Sequence, residues 1–340
     1  MKKIGFGLIG MGGIQYAHGF AYEGSDAEVV AVCDVVEERA KERGATLGAT
    51  PYTRYQDLLQ DPRVEAVDVT LPHSAHFAVC KAALEAGKHV LVEKPMVPTY
   101  REARELIDLS RRNRVKFTVA ENTRFVKAYQ EAGRMMDSGE LGALRMVRTL
   151  IYGSEVRRLS DPTLWKGRKD GTVGGAILDA GPHSFYLLKW LFGEIDEVQA
   201  VTGKLVQESE VEDNAFVVGK LASGAVFSTD YTFTAEIPWG ERLEIFGSKG
   251  SLIIDQIANP PAIHFRGGQD YRGSPLASVA YDPMRWKFTS IIDGVRDFIA
   301  AVRDDRPTQV DPEDGAYVIK VCERAYESAA ALSRPMSLTM

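Results

Sequence analysis

One lysine lies where a parallel strand would deliver it to a ligand-binding crevice. Residues 91–98 read LVEKPMVP, so an apolar run passes into Glu93 and Lys94, and the proline after them cannot continue a central strand. Because ligands bind beyond the carboxyl ends of the strands in an open parallel sheet, Lys94 is a candidate to hydrogen-bond a reacting oxygen and support its negative charge. The alternative is a solvated Glu–Lys pair at the mouth of a loop.

A carboxylate and an imidazole lie four residues apart in GGAILDAGPHSFYLLKWLFG, which starts at residue 174. If one helix includes both, the side chains of Asp179 and His183 share a face and are placed for acid–base chemistry. Alternatively, Asp179 is the N-cap of a helix that accommodates Pro182 in its first turn, and His183 packs beside it. The residue types alone leave both interpretations open.

A glycine-rich turn follows the first strand-like run. The sequence GMGGIQYAH places Gly10, Gly12 and Gly13 at the start of a helix, where glycines allow a tight turn and backbone N–H groups can approach a pyrophosphate. Gln15 stands where a third glycine or alanine is usual. Asp34 ends the next strand about 20 residues on, where a carboxylate accepts hydrogen bonds from ribose hydroxyls and repels a 2′-phosphate. This pattern predicts a dinucleotide site that favours NAD over NADP, with Asp34 as a helix N-cap being the alternative.

Apolar runs alternate with helical patterns along the first 120 residues. Such polar-poor runs are typical of strands buried on both faces, and helical segments such as YREARELIDLSRRN between them indicate repeated βα units. They predict a doubly wound parallel sheet. Ser74 is expected to cap a helix that runs to Ala86, with Gly87 as its stop. The predicted strands are IGFGLI (4–9), VVAVC (29–33), VDVTL (67–71), HVLVE (89–93) and VKFTVA (115–120).

The second half has a different pattern, in which strand-like runs follow one another with short turns such as ASG and GSKG. This predicts a mostly antiparallel sheet, followed by helices at 287–303 and 312–333. We place the domain boundary near residue 122, giving a nucleotide-binding domain at 1–122 and a substrate-binding and oligomerisation domain at 123–340. The predicted strands are EVQAVTGKLV, NAFVVGKLA, AVFSTDYTF, RLEIFG, GSLIID and AIHFRG.

Composition excludes several classes of protein. A chain of 340 residues with 45% hydrophobic and 26% charged residues is long enough for two globular domains. A net charge of -6 without clustered Lys and Arg argues against nucleic-acid binding, and no apolar run approaches a membrane span. The scattered Cys33, Cys80 and Cys322 predict free buried thiols in a reducing compartment, so we expect a cytoplasmic protein. No metal site is expected, because His73 and His76 have no third ligand nearby.

Several motifs together resemble those of the Gfo/Idh/MocA oxidoreductases, the family of glucose-fructose oxidoreductase and inositol dehydrogenase. The stretch LPHSAHFAVCKAALEAGKHVLVEKPM is similar to the family's signature, with His73 in place of its Asn, and SGELG and GGAILDAGPH follow at the expected distances. The resemblance spans essentially the whole chain. It implies an N-terminal Rossmann domain, a C-terminal α/β domain whose open, mostly antiparallel sheet builds a homodimer or homotetramer, and a cis peptide at Pro95.

The resemblance also implies an NAD-dependent enzyme, with NADP possible, that transfers hydride to or from a cyclic polyol, sugar or sugar derivative. We expect neutral His183 to be the general base, Asp179 to hold the hydroxyl or the imidazole, and Lys94 to support charge on the same oxygen. The expected substrate-binding residues are Lys94, Trp165, Asp179, His183 and Trp239. The expected cofactor-binding residues are Gly10, Gly12, Gly13, Ile14, Asp34, Thr70, Pro72, His73, His76, Glu93, Lys94 and Asn122.

Other interpretations remain open at this stage. A redox-neutral enzyme would oxidise a sugar transiently and reduce it again, and a dinucleotide-sensing regulator would keep the fold without the chemistry. The run VRRLSDPTLWKGRKDG could receive a phosphate, although a solvated basic loop is the simpler expectation. Tryptophans more often belong to a core than to a sugar site. The remaining histidines, His18, His89 and His264, are expected to be structural.

Overall fold

The chain forms two compact units, each with its own sheet. The structure, a computed structural model, describes residues 3–256, 262–268, 270–275 and 283–331. The first unit contains the residues up to Phe125 together with Lys287–Ile319, and the second contains Val126–Trp286 and the residues from Lys320 on. The division into domains at 1–122 and 123–340 stays a prediction; the compact units differ from it in that residues 287–319 return to the first unit.

Parallel strands form the six-stranded sheet of the first unit, in the order β3-β2-β1-β4-β5-β6. Strands β2 and β3 follow on one side of β1, and β4, β5 and β6 follow on the other. The strand order therefore reverses between β1 and β4, which is the topological switch point where ligands bind in such sheets. This confirms the doubly wound sheet; the short edge strand β3, which contains Pro51, was not predicted. The strands are β1 Ile4–Ile9, β2 Ala27–Cys33, β3 Thr50–Tyr52, β4 Ala66–Val69, β5 His89–Glu93 and β6 Phe117–Ala120.

Helices connect these strands. The capping box of α5 is formed by Thr99, whose hydroxyl accepts from the Glu102 N–H, and by the Glu102 carboxylate, which accepts from the Thr99 N–H. The predicted cap at Ser74 is wrong, because Ser74 lies inside a 3₁₀ turn that starts after Pro72, and α4 begins only at His76 without a side-chain cap. The helices are α1 Gly13–Tyr22, α2 Glu37–Leu47, α3 Tyr55–Leu59, α4 His76–Glu85 and α5 Tyr100–Asn113.

The second unit contains an eight-stranded sheet in the order β14-β13-β12-β11-β7-β10-β9-β8. Only β7 and β10 pair in parallel among the described strand pairs of this sheet, so the prediction of a mostly antiparallel sheet is confirmed. Strands β7 and β14 were not predicted. The strands are β7 Leu144–Tyr152, β8 Ile195–Gly203, β9 Asn214–Leu221, β10 Val226–Thr232, β11 Gly240–Gly247, β12 Ser251–Asp255, β13 Ala262–Gly267 and β14 Asp270–Pro275.

Further helices complete the chain. In the described part of the chain, none of the helices is both long and apolar enough to cross a membrane. Cys33, Cys80 and Cys322 are buried free thiols, as predicted; the cytoplasmic location stays a prediction. The helices are α6 Lys127–Asp137, α7 Val156–Ser160, α8 Lys169–Thr172, α9 Ala176–Asp179, α10 Gly181–Phe192, α11 Pro283–Arg303 and α12 Pro312–Ala331.

One face of the second sheet carries exposed apolar side chains. Side chains alternate along a strand, and in β9 Ala215 and Val217 are buried while Phe216 and Val218 are 59% and 46% exposed. Val201 of β8 pairs directly with Phe216, and Val226 of β10 pairs with Lys220 on the same side. We call Val201, Phe216, Val218 and Val226 the open sheet face.

Candidate active site

The glycine turn has the geometry of a nucleotide-binding loop. Gly10 has φ +97°, and a Cβ there would lie 2.4 Å from the carbonyl oxygen of Thr70, so both conformation and space require glycine. A Cβ on Gly12 or Gly13 would meet nothing within 4 Å, and α1 begins at Gly13. The space beside the first turn of α1 is therefore open to a ligand, and the backbone N–H groups there fit a pyrophosphate.

Asp34 lies directly after β2 and beside this turn. Its Oδ2 accepts from the Met11 N–H at 2.8 Å and its Oδ1 from the Val36 N–H at 2.9 Å. The alternative role as a helix N-cap is not realised, because α2 begins at Glu37 with Val36 in the cap position and no side-chain cap. Each carboxylate oxygen retains a lone pair for a ribose hydroxyl, so the residues present fit a dinucleotide.

A buried network of side chains links the strands of the first unit. His18 of α1 is fully buried; its Nδ1 lies 2.9 Å from Asp68 Oδ2 and its Nε2 lies 2.9 Å from Glu93 Oε1. Tyr22 donates its hydroxyl to Asp68 Oδ2 at 2.9 Å. Burial lowers the pKa of His18, but the charges and hydrogen bonds of Asp68 and Glu93 outweigh it and raise the pKa to about 10. The ring is therefore an imidazolium at neutral pH.

This raised pKa predicts that stability depends on pH. Because the pKa of His18 is about 10 in the folded protein and near 6.5 when unfolded, its contribution is fully present below pH 6.5 and is lost as pH rises through 10. We expect the free energy of unfolding of wild type, relative to His18→Gln, to fall between pH 7 and pH 10 by up to about 1.4 kcal/mol per pH unit. Urea denaturation at several pH values measures this difference.

His89→Gln is the matched control for that experiment. Burial lowers the pKa of His89, so this ring is neutral in both states above pH 7 and its replacement should change stability by the same amount from pH 7 to pH 10. A difference between wild type and His18→Gln that stays constant over this range would contradict a charged His18.

Lys94 follows β5 immediately and is half-buried. Its backbone N–H donates to Oε2 of Glu93 at 3.0 Å, and the Lys94–Pro95 peptide is cis, as the resemblance implied. On the other side, Nδ1 of His76 lies 2.8 Å from the Pro95 carbonyl oxygen and its Nε2 lies 3.0 Å from that of Leu71. Complete burial lowers the pKa of His76, although these carbonyl oxygens oppose the shift. The residues on both sides of Lys94 are thus fixed by histidine rings.

The other expected cofactor residues lie on the same unit. The Thr70 hydroxyl donates to the Gly10 carbonyl oxygen at 2.7 Å, and Asn122 donates its side-chain amide to the Ser290 hydroxyl at 2.9 Å. His73 is buried, with its ring centroid 5.9 Å from that of His76. The assignments of Ile14, Thr70, Pro72, His73, His76, Glu93, Lys94 and Asn122 to the cofactor stay predictions.

In the second unit, Asp179 and His183 occupy two successive helices. Helix α9 ends at Asp179, α10 begins at Gly181 with Pro182 in its first turn, and Asp179 and His183 are both buried. Neither sequence interpretation describes this arrangement. The residue in the cap position of α10 is Ala180, without a side-chain cap, so Asp179 is not the N-cap.

Asp179 forms a buried ion pair that the sequence did not predict. Nζ of Lys166 lies 2.9 Å from Asp179 Oδ2 and 3.3 Å from Glu155 Oε2, and the Lys166 side chain is only 13% exposed. The expectation of a solvated basic loop is therefore wrong for Lys166. The charge of Lys166 does not distinguish it from the neighbouring cations in the sequence. The following residue, Gly167, is one signal of close packing, because a Cβ there would lie 2.1 Å from the Leu159 carbonyl oxygen.

A second carboxylate holds the segment that carries Asp179. Glu212 accepts hydrogen bonds from the backbone N–H groups of Gly175 and Ile177, both at 3.1 Å, and from the Tyr326 hydroxyl at 2.6 Å. A Cβ on Gly175 would lie 1.8 Å from the Glu212 carbonyl oxygen, so this close approach requires glycine. Burial raises the pKa of Glu212, opposed by these hydrogen bonds. Glu212 was not predicted from the sequence, because it is distant along the chain from Gly175 and Ile177, which it holds.

The two predicted tryptophans are half-buried. Trp239 packs against Phe233 with ring centroids 6.0 Å apart, and Lys166 Nζ lies 5.5 Å from the centroid of the same phenylalanine. Trp165 precedes Lys166 in a 3₁₀ turn. The aromatic pair therefore lies beside the ion-paired lysine, and contact of Trp165 or Trp239 with substrate stays a prediction. Over the residues the structure describes, no group of three or more His, Cys, Asp or Glu side chains could hold a metal ion.

A glycine turn at the start of a helix, with a carboxylate after the next strand, defines the first unit as a dinucleotide-binding Rossmann unit. Residues 4–121 match the family model described as "Oxidoreductase family, NAD-binding Rossmann fold", and residues 129–253 match the "GFO/IDH/MocA C-terminal domain". The chain belongs to the Gfo/Idh/MocA family of NAD-binding oxidoreductases.

Relatives with assigned activities match most of the chain. Myo-inositol 2-dehydrogenase of Thermotoga maritima is 28% identical over 316 residues, which cover 91% of each chain. A dTDP-3,4-didehydro-2,6-dideoxy-alpha-D-glucose 3-reductase of Saccharopolyspora spinosa is 31% identical over 241 residues, 70% of each. The solved structure of levoglucosan dehydrogenase with NADH and levoglucosan has a TM-score of 0.87 at 23% identity and covers 97% of this chain and 98% of that one. This last likeness shows the fold.

Proposed function

We propose that this protein is an NAD-dependent dehydrogenase or reductase that acts on a secondary alcohol or ketone of a cyclic polyol, sugar or sugar derivative. The observation that supports it most is the largely buried cluster of Glu155, Lys166 and Asp179, with His183 in the next helix. A buried acid–base cluster of this kind, in a family of NAD-binding oxidoreductases, suits proton transfer to or from a hydroxyl.

Oxidation of a secondary alcohol removes one proton from the hydroxyl oxygen and one hydride from its carbon. Bound NAD supplies the acceptor of the hydride. In our proposal neutral His183 takes the proton, Asp179 orients the hydroxyl or the imidazole, and Lys94 supports the negative charge that develops on the oxygen. Lys166 holds Asp179 by an ion pair at 2.9 Å. In the reverse direction the same groups return a proton to the ketone oxygen.

Three cations of the basic run pair with acidic side chains, which favours a substrate without phosphate. Lys166 is paired with Asp179 and Glu155, Arg158 with Glu155, and Arg168 with Asp170, so these cations already have acidic partners. A phosphate would have to compete with carboxylates for these cations. Two relatives, named myo-inositol 2-dehydrogenase and levoglucosan dehydrogenase, support a neutral cyclic substrate, whereas the Saccharopolyspora spinosa relative is named for a dTDP-linked sugar.

The proposal is tested by measuring NADH or NADPH formation with inositols, free aldoses, anhydrosugars, sugar phosphates and nucleotide sugars. We expect turnover with neutral polyols or sugars and a preference for NAD, because the Asp34 carboxylate repels a 2′-phosphate. Turnover confined to phosphorylated or nucleotide-linked sugars would contradict the substrate class. NADH binding without turnover in the whole panel, combined with cleavage of glycosides, would favour a redox-neutral enzyme instead.

We also propose that the protein is a homodimer or homotetramer that assembles through the open sheet face. Val201, Phe216, Val218 and Val226 place an apolar strip on three neighbouring strands, and burying such a strip between two copies would remove it from water.

Replacing Phe216 by arginine should dissociate this assembly. The substitution puts a charge into the centre of the strip, where the desolvation cost opposes association. Light scattering after size-exclusion chromatography should give one chain mass for Phe216→Arg and a multiple of it for wild type. Phe20→Arg on α1 is the matched control, since Phe20 is similarly exposed, 53% against 59%. Equal masses for Phe216→Arg and wild type would rule out this face as the interface.

A further inference from the structure

Lys94 is preceded by a residue that belongs to a buried network for which the proposed chemistry has no direct use. The network joins three elements of the first unit: His18 on α1, Asp68 on β4 and Glu93 on β5. The imidazole lies between the two carboxylates, at 2.9 Å from each, and all three residues are buried. A buried carboxylate pair of this kind is costly unless a cation lies between them.

The two oxygens of Glu93 have separate partners. Its Oε1 faces Nε2 of His18 at 2.9 Å, whereas its Oε2 accepts the backbone N–H of Lys94 at 3.0 Å. The carboxylate cannot rotate without losing one of these contacts. The backbone of Lys94 is therefore connected, through a single carboxylate, to a helix that begins at the glycine turn.

The imidazole suits this place because of its donors. A doubly protonated ring donates from both nitrogens, so it can hold Asp68 and Glu93 at the same time. The groups that face it are Asp68 from β4 and Glu93 from β5, and Tyr22 from its own helix donates to Asp68. A glutamine in place of His18 keeps polarity but carries no charge, and it cannot reproduce both linear contacts.

We propose that His18 is a positioning residue: by tying Glu93 to Asp68, it fixes the backbone at Lys94 and so directs the lysine ammonium toward the reacting oxygen. The effect of His18 on catalysis rests on the proposed function of Lys94. The effect of His18 on the order of the Lys94 backbone is independent of that function, because it depends only on contacts within the first unit.

Hydrogen exchange of the protein without ligand tests the structural part. In His18→Gln, the peptide that contains Lys94 should exchange about tenfold faster than in wild type, since local opening is no longer opposed by the network. Asp68→Asn is the matched control: the asparagine oxygen can still accept from Nδ1, the bond to Glu93 stays, and exchange at Lys94 should change by less than about twofold. Equal exchange at Lys94 in His18→Gln and wild type would overturn the proposal.

Steady-state kinetics test the consequence for chemistry. A misplaced catalytic group costs about 10²-fold in rate, so His18→Gln should lose about that much kcat while Kd for NADH stays within about twofold of wild type. Asp68→Asn should retain most of its kcat. If wild type and Asp68→Asn turn over, Lys94→Ala is inactive and His18→Gln has full kcat, the positioning role is wrong while the proposed function stands.

The same experiments distinguish failure of the proposed function from failure of the positioning role. If wild type oxidises no substrate of the panel, the proposed function fails, and the exchange at Lys94 still decides the role of His18. If His18→Gln does not fold, Glu93→Leu takes its place: leucine accepts a hydrogen bond neither from His18 nor from the Lys94 N–H, so it should accelerate exchange at Lys94 in the same way. Unchanged exchange in Glu93→Leu would count against the proposal.

Discussion

Lys94→Ala should lose turnover almost completely while it still binds NADH. If Lys94 supports the charge that develops on the reacting oxygen, its removal should lower kcat by about 10²–10⁴-fold. The loss should appear in kcat, because the contact strengthens only as negative charge develops in the transition state. Affinity for NADH should stay close to that of wild type, since the glycine turn and Asp34 do not depend on this side chain.

Fluorescence titration with NADH and single-turnover kinetics measure the two quantities separately. Lys81→Ala is the control: Lys81 belongs to the same unit, its side chain is 40% exposed and its salt bridge with Glu105 lies at the surface, so its removal should leave kcat unchanged. A Lys94→Ala variant with near-normal kcat would remove this lysine from the mechanism. A variant that has also lost NADH affinity would point to a role in cofactor binding.

Lys166→Met should have the second-largest effect, on both stability and turnover. The substitution keeps the length of the side chain but leaves Asp179 and Glu155 in a buried site without their shared cation. Removing one partner of a buried ion pair typically costs about 3–5 kcal/mol, and we expect a loss of about 3 kcal/mol in the free energy of unfolding. Turnover should fall about 10²-fold, because Asp179 loses the contact that orients it.

A second substitution separates charge from packing in that experiment. Glu155→Gln removes one of the two carboxylates, so Lys166→Met combined with Glu155→Gln should be more stable than the sum of the single effects by about 1–3 kcal/mol. Lys220→Met is the control, since Lys220 is 53% exposed and its pair with Glu197 is a surface contact. Additive stability changes in the double variant would show that Lys166 does not compensate the two carboxylates electrostatically.

Most of the first unit could be predicted from local sequence patterns. Five of its strands, the glycine turn and Asp34 were predicted because alternation, glycine positions and spacing are local properties. Strand β7 lies in the middle of the second sheet but was not predicted, because arginines interrupt the apolar run in its sequence LRMVRTLIY. Arg148 lies near Asp230 and Glu244 of the neighbouring strands, so its charge is matched by partners far along the chain.

The sequence by itself determined the Rossmann unit with its glycine turn and the family. Tertiary structure alone decided that His18 ties Asp68 to Glu93 and that Lys166 pairs with Asp179 rather than with solvent. The physical reason is that periodicity and capping act within one element, whereas a buried charge is stabilised only by a partner that folding brings to it. The bond from His18 to Glu93 joins residues 75 positions apart, and no local pattern in the sequence records it.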